Sequence, residues 1–452
     1  MTECFIFPFL RYANPVWYFN IHKTHTAPFF YDIAKMTPEE QNIVELDKGF
    51  SSINVAKRDA AYQMWHKGFV KNASFAMHLE TDQAVPTCED NYRFIRRHFH
   101  PIWSWYIFLL RLLGLNNPFQ EISAFIMQSR TKRIYPYISV FPHEVAYNQF
   151  KSNLIVSGPK VSVIIPTLNR YAYLEDALHD LEKQDYPNFE VIVIDQSSPF
   201  QKNFYNKFDL SVIVNQQHEK ALWLARNNAV KMSDAQYLLL FDDDSRIEKN
   251  WISEHLKCLD FFKSDISAGI SISKIGAKTP ENYRHFRWAD QLDTGNVMIK
   301  RTVFEKIGLF DRHFEGQRMG DGEFGLRAHI AGFASISNSQ AKRLHLKVGE
   351  GGLREMGSWD GFRPKNWFAP RPVPSVLYLY RRYFSTKTVF LGLIIGVLPS
   401  LVSYRFKKSK LALLSGSLLS ILLLPIVFIQ VFRSWFISTK KLKEGPRIEL
   451  LQ

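Results

Sequence analysis

The sequence predicts an α/β domain built on a mostly parallel sheet with helices on both faces. Four short apolar runs carry the prediction, at residues 161–166, 190–195, 211–214 and 237–241, and helix-like segments separate them. Apolar runs without polar alternation are typical of strands that are buried on both faces. Strands that alternate with helices are joined by right-handed crossovers, so the strands lie parallel and helices cover both faces.

The individual elements follow from local patterns. The first run, VSVIIP, is rich in β-branched residues and closes with a proline, as a buried strand can. A helix after it is indicated by apolar residues at i, i+3, i+4 and i+7, namely Leu174, Ala177, Leu178 and Leu181. A second helix is predicted over 219–232, with Leu222, Ala225 and Ala229 on one side.

Length and composition bound the organisation of the chain. A length of 452 residues favours two or three domains. We expect an N-terminal accessory region (1–155) whose motifs indicate no role, the α/β domain (156–360) and a C-terminal segment (361–452). Only three cysteines occur, far apart and without CxxC spacing, which excludes a disulfide scaffold and a zinc finger.

The net charge of +14 is concentrated in the C-terminal segment, which has fifteen Lys and Arg against two acidic residues after residue 362. The same segment holds two long apolar runs, 389–402 and 411–432. Basic clusters beside apolar runs favour anionic lipids, so we expect membrane lipids and no nucleic acid as partners. The second run is long enough to span a bilayer. The positive-inside tendency favours a half-inserted hairpin or a re-entrant first segment, with every basic cluster on one face. Pro399 and Pro425 would kink either helix, and a buried helical hairpin is the alternative.

A third apolar segment lies at residues 101–115 (PIWSWYIFLLRLLGL) and is too short to span a membrane. Such a segment is either a core helix or a helix that lies on a membrane surface. Of these two interpretations we favour the core helix.

Polar residues follow three of the predicted strands, at the edge where ligands bind in parallel sheets. They are Thr167, Asn169 and Arg170 after the first strand, Asp195, Gln196 and Ser197 after the second, and Asp242, Asp243 and Asp244 after the fourth. Three adjacent carboxylates repel one another unless a cation lies between them. Hard oxygen ligands suit Mg²⁺ or Mn²⁺, with substrate phosphates completing the shell. A solvated acidic turn is the alternative, and the position after a buried strand favours a functional site.

Four longer motifs carry a resemblance to a known family. In chain order they are VSVIIPTLNRYAYLEDALHDLEKQDYPNFEVIVIDQSS, LARNNAVKMSDAQYLLLFDDDSRIEKNW, TGNVMIKRTVFEKIGLFDRHFEG and MGDGEFGLRAHIAGF. Residues 160–350 therefore resemble a family 2 glycosyltransferase with the GT-A fold. The resemblance implies a nucleotide-sugar donor that binds across the carboxyl edge of the sheet.

The resemblance also implies site residues. Donor contacts are expected from Pro166, Thr167, Asn169, Asp195, Arg226, Asp242 and Asp243, and metal ligation from Asp244 and His345. Within this set, Asp195 would accept a hydrogen bond from the base, and Asp242 would contact the sugar or the ribose. For His345, packing is the alternative to metal ligation. The GEGG loop (349–352) would either close over the donor or remain an ordinary exposed loop.

A further carboxylate, Asp321, matches the position of the catalytic base of the family in GQRMGDGEFGLRAHIAG (316–332). A base takes the proton from an acceptor hydroxyl as that oxygen attacks the anomeric carbon, and a single displacement inverts the configuration. Family members usually carry an acidic residue where this chain has Gly320. The alternative role for Asp321 is a helix N-cap, and Glu323 and Arg327 have the spacing of a surface ion pair.

The QxxRW signature of processive synthases is missing, and the nearest sequence is RHFRW (284–288). We therefore expect inverting, divalent-metal-dependent transfer of a single sugar to a hydroxyl of a glycan or lipid-linked acceptor, at the cytoplasmic face of the cell membrane. This hypothesis requires the acidic triplet and Asp321 to face one another across one cleft. The alternative is a catalytically silent membrane scaffold that binds sugar nucleotides or glycans. Nucleotidyl transfer is disfavoured, because PTLNR is not a glycine-rich phosphate loop.

Overall fold

The structure, a computed structural model, describes residues 5–16, 18, 30–71, 73–75, 77, 85–137, 141–273, 279–290, 292–348, 353, 361–363, 366, 368–402, 406 and 409–451. The chain divides into two units. The first comprises residues 1–145 and 384–392, and the second comprises residues 146–383 and 393–452. The 349–352 loop lies outside the described residues.

One sheet occupies the second unit. Its strands, among the described residues, are β1 (Val161–Thr167), β2 (Phe189–Asp195), β3 (Val212–Gln216), β4 (Tyr237–Phe241), β5 (Ser245–Ile247), β6 (Ile266–Ile272), β7 (Arg287–Trp288), β8 (Asn296–Lys300) and β9 (Ser335–His345). The strand order is β3-β2-β1-β4-β8-β6-β9-β5, and β7 pairs with β9. All four strands predicted from the apolar runs are present.

The sheet is mixed, which corrects the prediction of a mostly parallel one. Strands β3, β2, β1 and β4 are parallel, as the crossover argument predicts. Beyond β4 the direction changes, because β8 runs antiparallel to both β4 and β6. Strand β9 is parallel to β6 and antiparallel to β5 and β7. The uninterrupted apolar runs end at β4, so the sequence pattern carries no prediction for the direction of the strands in the second half of the sheet.

The helices of the second unit cover the sheet on both faces. Leu174 and Leu178 of one helix and Trp251 of another pack in the same core cluster as Val163 and Leu239 of the sheet. A further helix contacts β1 and β2 and buries Ala225, Ala229 and Val230. The helices are α8 (Asn153–Ser157), α9 (Tyr171–Glu182), α10 (Leu222–Met232), α11 (Trp251–Phe262), α12 (Arg301–Ile307), α13 (Gly320–Ile330), α14 (Pro374–Tyr383), α16 (Lys410–Leu422) and α17 (Leu424–Glu444).

The first unit is helical in its described part. Its helices are α1 (Leu10–Ala13), α2 (Pro38–Gln41), α3 (Ile53–His66), α4 (Cys88–His98), α5 (Ile102–Leu113) and α6 (Pro118–Met127), while α7 (Glu144–Gln149) and α15 (Thr386–Val397) cross the division between the units. Asp59 is fully buried and is paired with Arg97 at 3.1 Å and with His98 at 2.7 Å. The prediction of a core helix at 101–115 is wrong, because α5 buries only Ser104 and Ile107.

The second long apolar run does not form one straight helix. It divides into α16 and α17, which are bent by 87° relative to each other. Pro425 lies in the first turn of α17, directly after this bend, as predicted. Pro399 lies in a short 3-10 turn, Leu398–Leu401, that directly follows α15. No single helix among the described residues is long and apolar enough to span a membrane. The bent pair of α16 and α17 has sufficient length and apolar character when the two helices are taken together.

A buried polar cluster joins α11 to the second half of the sheet. Asn296 of β8 accepts hydrogen bonds on Oδ1 from Trp251 Nε1 at 2.7 Å and from His255 Nε2 at 3.1 Å. Its amide nitrogen donates to the carbonyls of Ile270 and Ala341 at 2.9 and 3.0 Å. Every polar atom of the Asn296 side chain is thus satisfied, so the cluster fixes the position of β8 between β4 and β6.

The cluster predicts a dependence of stability on pH. Burial lowers the pKa of His255 to about 4, so the folded state binds fewer protons than the unfolded state between that value and the usual histidine pKa near 6.5. The contribution of His255 to stability should therefore fall by on the order of 2 to 3 kcal/mol as the pH falls from 7 to 4. Urea unfolding of the protein and of His255→Gln at both pH values isolates this contribution, because the variant should lack it while every other titrating group is shared. An equal pH dependence in that variant would contradict the assignment.

Candidate active site

The acidic triplet follows β4 directly, as predicted, and two arginines hold its first member. Asp242 Oδ1 accepts a hydrogen bond from Arg226 at 2.7 Å, and Asp242 Oδ2 accepts one from Arg343 at 2.9 Å. Both guanidinium groups are fully buried. Arg343 also pairs with Asp293 at 2.9 Å. Burial raises the pKa of Asp293, but the charge of Arg343 outweighs that effect and lowers the pKa to about 2. The carboxylate of Asp242 is therefore held in one orientation from both sides.

Gly295 makes this arrangement possible. A Cβ atom at this position would lie 2.2 Å from Asp242 Oδ2 and 2.1 Å from Arg343 Nη1, so it would overlap both groups. Only a residue without a side chain lets the backbone before β8 approach the Asp242–Arg343 pair so closely. Sequence reasoning named neither Arg343 nor Gly295. The available signals were TGN (294–296) in the third motif and an arginine two residues before His345.

Asp243 is turned into the protein. Its carboxylate accepts a hydrogen bond from Thr167 Oγ1 at 2.8 Å and pairs with Arg170 at 3.2 Å. Burial is the largest influence on its pKa, which is raised to about 7. Both oxygens are used within the protein, and the contact ties the end of β1 to the end of β4.

Asp244 and His345 lie together because of strand pairing. The antiparallel register of β5 and β9 pairs Ser245 with His345, and His345 Nε2 lies 3.4 Å from Asp244 Oδ1. Burial opposes the ionisation of Asp244, but His345 and Arg170 outweigh it and lower its pKa. The potential ligand atoms of Asp242, Asp244 and His345 all lie within 4.8 Å of one another.

This donor set fits a divalent cation. Two carboxylates and one imidazole, of which Asp244 is buried and Asp242 and His345 are part-exposed, suit Mn²⁺ or Mg²⁺ and leave positions for phosphate oxygens. The positively charged side chains of Arg226 and Arg343 also bind the Asp242 carboxylate. The set includes Asp242, which sequence reasoning placed at the sugar or the ribose.

The remaining predicted donor residues lie at the ends of β1 and β2. Thr167 and Asp195 are opposite each other in the strand register, and Pro166 precedes Thr167 in β1. Asp195 is fully buried and accepts hydrogen bonds from the hydroxyls of Tyr171 and Tyr205, both at 2.7 Å. Asn169 has a left-handed backbone with φ of 53°, a conformation that Asn tolerates better than most residues.

Asp321 lies in the first turn of α13, half-buried, but it is not the N-cap, which is Met319. Its neighbour Gly320 packs on Trp223, because a Cβ there would lie 2.3 Å from the indole ring. The guanidinium of Arg226 lies 5.3 Å from the centroid of the same ring. Contacts therefore run from the start of α13 through Trp223 and Arg226 to the acidic triplet.

Glu323 and Arg327 form the predicted pair at 3.0 Å, but not on the surface. Glu323 is fully buried and also accepts a hydrogen bond from Tyr383 at 2.5 Å. Arg327 donates to the carbonyls of Ile307, Gly308 and Leu309. The pair thus fixes α13 to the turn after α12.

The fold and the site together define an α/β domain of GT-A type, with an acidic cluster at the edge of a curled mixed sheet. Residues 162–321 match the family model described as Glycosyl transferase family 2. This segment is therefore a family 2 glycosyltransferase domain, which confirms the resemblance inferred from its motifs.

Named relatives are glycosyltransferases as well. Poly(ribitol-phosphate) beta-N-acetylglucosaminyltransferase TarS of Staphylococcus aureus is 32% identical over 114 residues, 24% of this chain and 20% of TarS. GalNAc(5)-diNAcBac-PP-undecaprenol beta-1,3-glucosyltransferase of Campylobacter jejuni is 30% identical over 165 residues, 35% of this chain and 43% of that enzyme. A crystal structure of S. aureus TarS 1–349 in complex with UDP-GlcNAc covers 57% of this chain and 78% of that chain, with 20% identity and a TM-score of 0.41. The chain spans less than half the length of both curated relatives.

Two glycines in the first turn of α13 provide a matched test of the Trp223 contact. Gly320→Ala should lower the unfolding free energy by about 1–3 kcal/mol, because the added methyl group collides with the indole ring. Gly322→Ala should be neutral or stabilising by up to about 1 kcal/mol, since its Cβ would meet only Met319 Sδ at 3.9 Å. Thermal unfolding measures both variants. Equal effects at the two positions would show that Trp223 does not pack on Gly320.

Proposed function

We propose that the protein transfers a single sugar from a nucleotide-sugar donor to a hydroxyl of a glycan or lipid-linked acceptor, with inversion and with the help of a divalent metal. The cluster of Asp242, Asp244 and His345 at the edge of a family 2 glycosyltransferase domain carries the proposal. The first half of the sheet ends beside this cluster with the polar residues of β1 and β2. The acidic first turn of α13 is connected to it through Trp223 and Arg226.

The donor would lie along the ends of β1, β2 and β4. Thr167 and Asp195 close the first two strands in register and would face the nucleoside. Asp242, Asp244 and His345 would hold Mn²⁺ or Mg²⁺, which when bound neutralises the charge that develops on the departing diphosphate. Arg226 and Arg343 fix the orientation of Asp242 before the donor arrives, so little reorganisation is needed on binding.

Asp321 would act as the general base. Its carboxylate takes the proton of the acceptor hydroxyl as the hydroxyl oxygen forms a bond to the anomeric carbon. The bond between that carbon and the donor phosphate oxygen breaks, and the electron pair leaves with the nucleoside diphosphate. A single displacement of this kind inverts the configuration. Asp321 is half-buried and accepts a hydrogen bond on Oδ1 from the backbone amide of Gly322 at 2.9 Å, which orients the carboxylate.

A membrane-bound acceptor is supported by the C-terminal helices. In α17 the buried positions include Gln430, Ser434 and Ser438, whereas Phe428 and Phe432 are exposed. In α16 the buried residues are Gly416 and Ser420, and the leucines around them point outward. Helices that pack with small and polar residues and expose apolar ones are typical of a lipid environment. These helices support our proposal that the enzyme acts at the cytoplasmic face of the cell membrane, and the Campylobacter relative is named for an undecaprenol-linked glycan.

If Asp321 is the base, its substitution should slow sugar transfer without weakening donor binding. Asp321→Asn should lower the rate of nucleoside diphosphate release by about 10²–10⁴-fold, because it removes the base. The dissociation constant of the donor, measured by calorimetry, should be unchanged. A donor screen with water as the default acceptor supplies the assay, and the configuration of the product, read by NMR, tests inversion. Retained turnover in the variant would remove Asp321 as the base.

The role of the acidic cluster predicts metal dependence. Asp244→Ala should abolish Mn²⁺-dependent donor binding, and EDTA should remove the activity of the unaltered protein until Mn²⁺ or Mg²⁺ is restored. The matched control is Asp234→Ala, at an exposed aspartate that pairs only with Lys160 among the described residues. Full activity without a divalent cation would contradict the metal role. Donor binding without any product would favour the scaffold function, and release of pyrophosphate would favour nucleotidyl transfer.

A further inference from the structure

The helices α5 and α6 of the first unit carry their apolar side chains outward. In α5 the exposed residues Ile102, Trp105, Leu109 and Leu113 are spaced three to four residues apart and form one stripe. Leu113 exposes 79% of its surface. In a water-soluble domain such a stripe usually faces the core. In α5 it faces away from the packed side of the helix.

Helix α6 has the same inverted distribution. Phe119, Ile122 and Ile126 are exposed, whereas the buried residues are Glu121 and Ala124. The Glu121 carboxylate is neutralised inside by Arg111 of α5, at 2.6 Å, and by a hydrogen bond from the hydroxyl of Tyr92. The charged pair thus lies on the packed side of the helices and the large apolar groups lie on the exposed side.

The exposed stripes belong to one helical hairpin. The ring of Trp105 lies 4.5 Å from that of Phe125, and the ring of Phe108 lies 4.9 Å from it. We call Trp105, Leu109, Leu113, Phe119, Ile122 and Ile126 the hairpin face. Contiguous exposed apolar patches of this kind mark interaction sites in soluble proteins.

Cations border the hairpin face. Arg130, Lys132 and Arg133 follow α6 within six residues, and all three are exposed. In the part of the chain that the structure describes, none of the three forms an ion pair or a hydrogen bond. They line a cavity of about 1010 Å³ together with Lys67, Arg93 and Arg97, and the acidic side chains of the lining are Glu45 and Asp47. Met127 both lines this cavity and exposes 64% of its surface at the end of α6, so the basic cavity is continuous with the apolar hairpin.

This charge pattern selects a lipid as the occupant. An apolar helix face beside unpaired cations is complementary to a leaflet that carries acidic headgroups, to which each basic residue contributes attraction. Trp105 has the amphipathic ring that is enriched at the level of the headgroups. A second copy of the chain fits less well, because a two-fold interface would bring the same cations of both copies to one contact.

We propose that the hairpin face inserts into the interface of an anionic phospholipid leaflet and that the adjoining basic cavity receives a lipid phosphate. This membrane site is independent of the C-terminal helices on which the proposed localisation rests. It also does not depend on the sugar-transfer chemistry, which can be assayed on soluble acceptors.

A probe of local insertion separates this site from the C-terminal helices. The full chain, with Cys4, Cys88 and Cys258 replaced by Ser, carries Leu113→Cys labelled with nitrobenzoxadiazole. Vesicles of phosphatidylcholine and phosphatidylglycerol should shift the emission of this label to the blue. The control label at Val156→Cys, a residue of α8 in the second unit that exposes 85% of its surface, should not shift. An unshifted label at position 113 on vesicle-bound protein would overturn the proposal, because the C-terminal helices alone would then account for binding.

Substitutions test the two components of the site. Leu109→Glu combined with Phe119→Glu should weaken vesicle binding by roughly tenfold per residue, whereas Val156→Glu should have no effect. Replacement of Arg130, Lys132 and Arg133 by Gln should lower the preference for phosphatidylglycerol over pure phosphatidylcholine, and the basic residues of the C-terminal segment supply what remains. An unchanged preference would remove the basic cavity from the site. Circular dichroism checks that the variants are folded. A concentration-dependent blue shift without vesicles, with dimers in sedimentation velocity, would replace the lipid by a second copy of the chain.

Discussion

The geometry of the candidate site depends on the ion pairs that hold Asp242 between Arg226 and Arg343. Three carboxylates in succession at the end of a buried strand repel one another, and burial makes each charge more costly. The two buried guanidinium groups compensate Asp242, and Arg170 and Thr167 hold Asp243. These four residues come from different parts of the domain, namely the end of β1, the start of α9, α10 and β9. The contacts that orient the carboxylates therefore also fix these segments relative to one another.

The second half of the sheet determines what lies around that cluster. Strand β8 reverses direction beside β4, and Gly295, directly before it, lets the backbone reach Asp242 and Arg343. Strand β9 then carries Arg343 and His345 on alternate positions, and its pairing with β5 brings His345 to Asp244. Packing of Gly320 on Trp223 adds the helix of Asp321 to this framework. The absence of the usual acidic residue at position 320 therefore has a packing reason, since the indole ring fills the space.

The distribution of apolar residues is inverted on helices of both units. In α5 and α6 the packed side contains an ion pair, and in α16 and α17 it contains Gly416, Gln430 and several serines, while leucine and phenylalanine side chains point outward. The exposed apolar side chains of such helices are unfavourable in water, and their transfer to an apolar environment is favourable. Two separate segments with this property support the two proposals of membrane contact, one for each segment.

The sequence alone determined the first half of the sheet and the family of the domain, because buried parallel strands and amphipathic helices are local patterns and the motifs lie in order along the chain. It also indicated the bend beside Pro425 in the C-terminal segment. It could not determine that β8 runs antiparallel, that Arg343 binds Asp242, or that α5 faces outward. Those features depend on which distant segments meet, and periodicity gives the spacing of an apolar stripe without saying whether that stripe faces the core or a membrane.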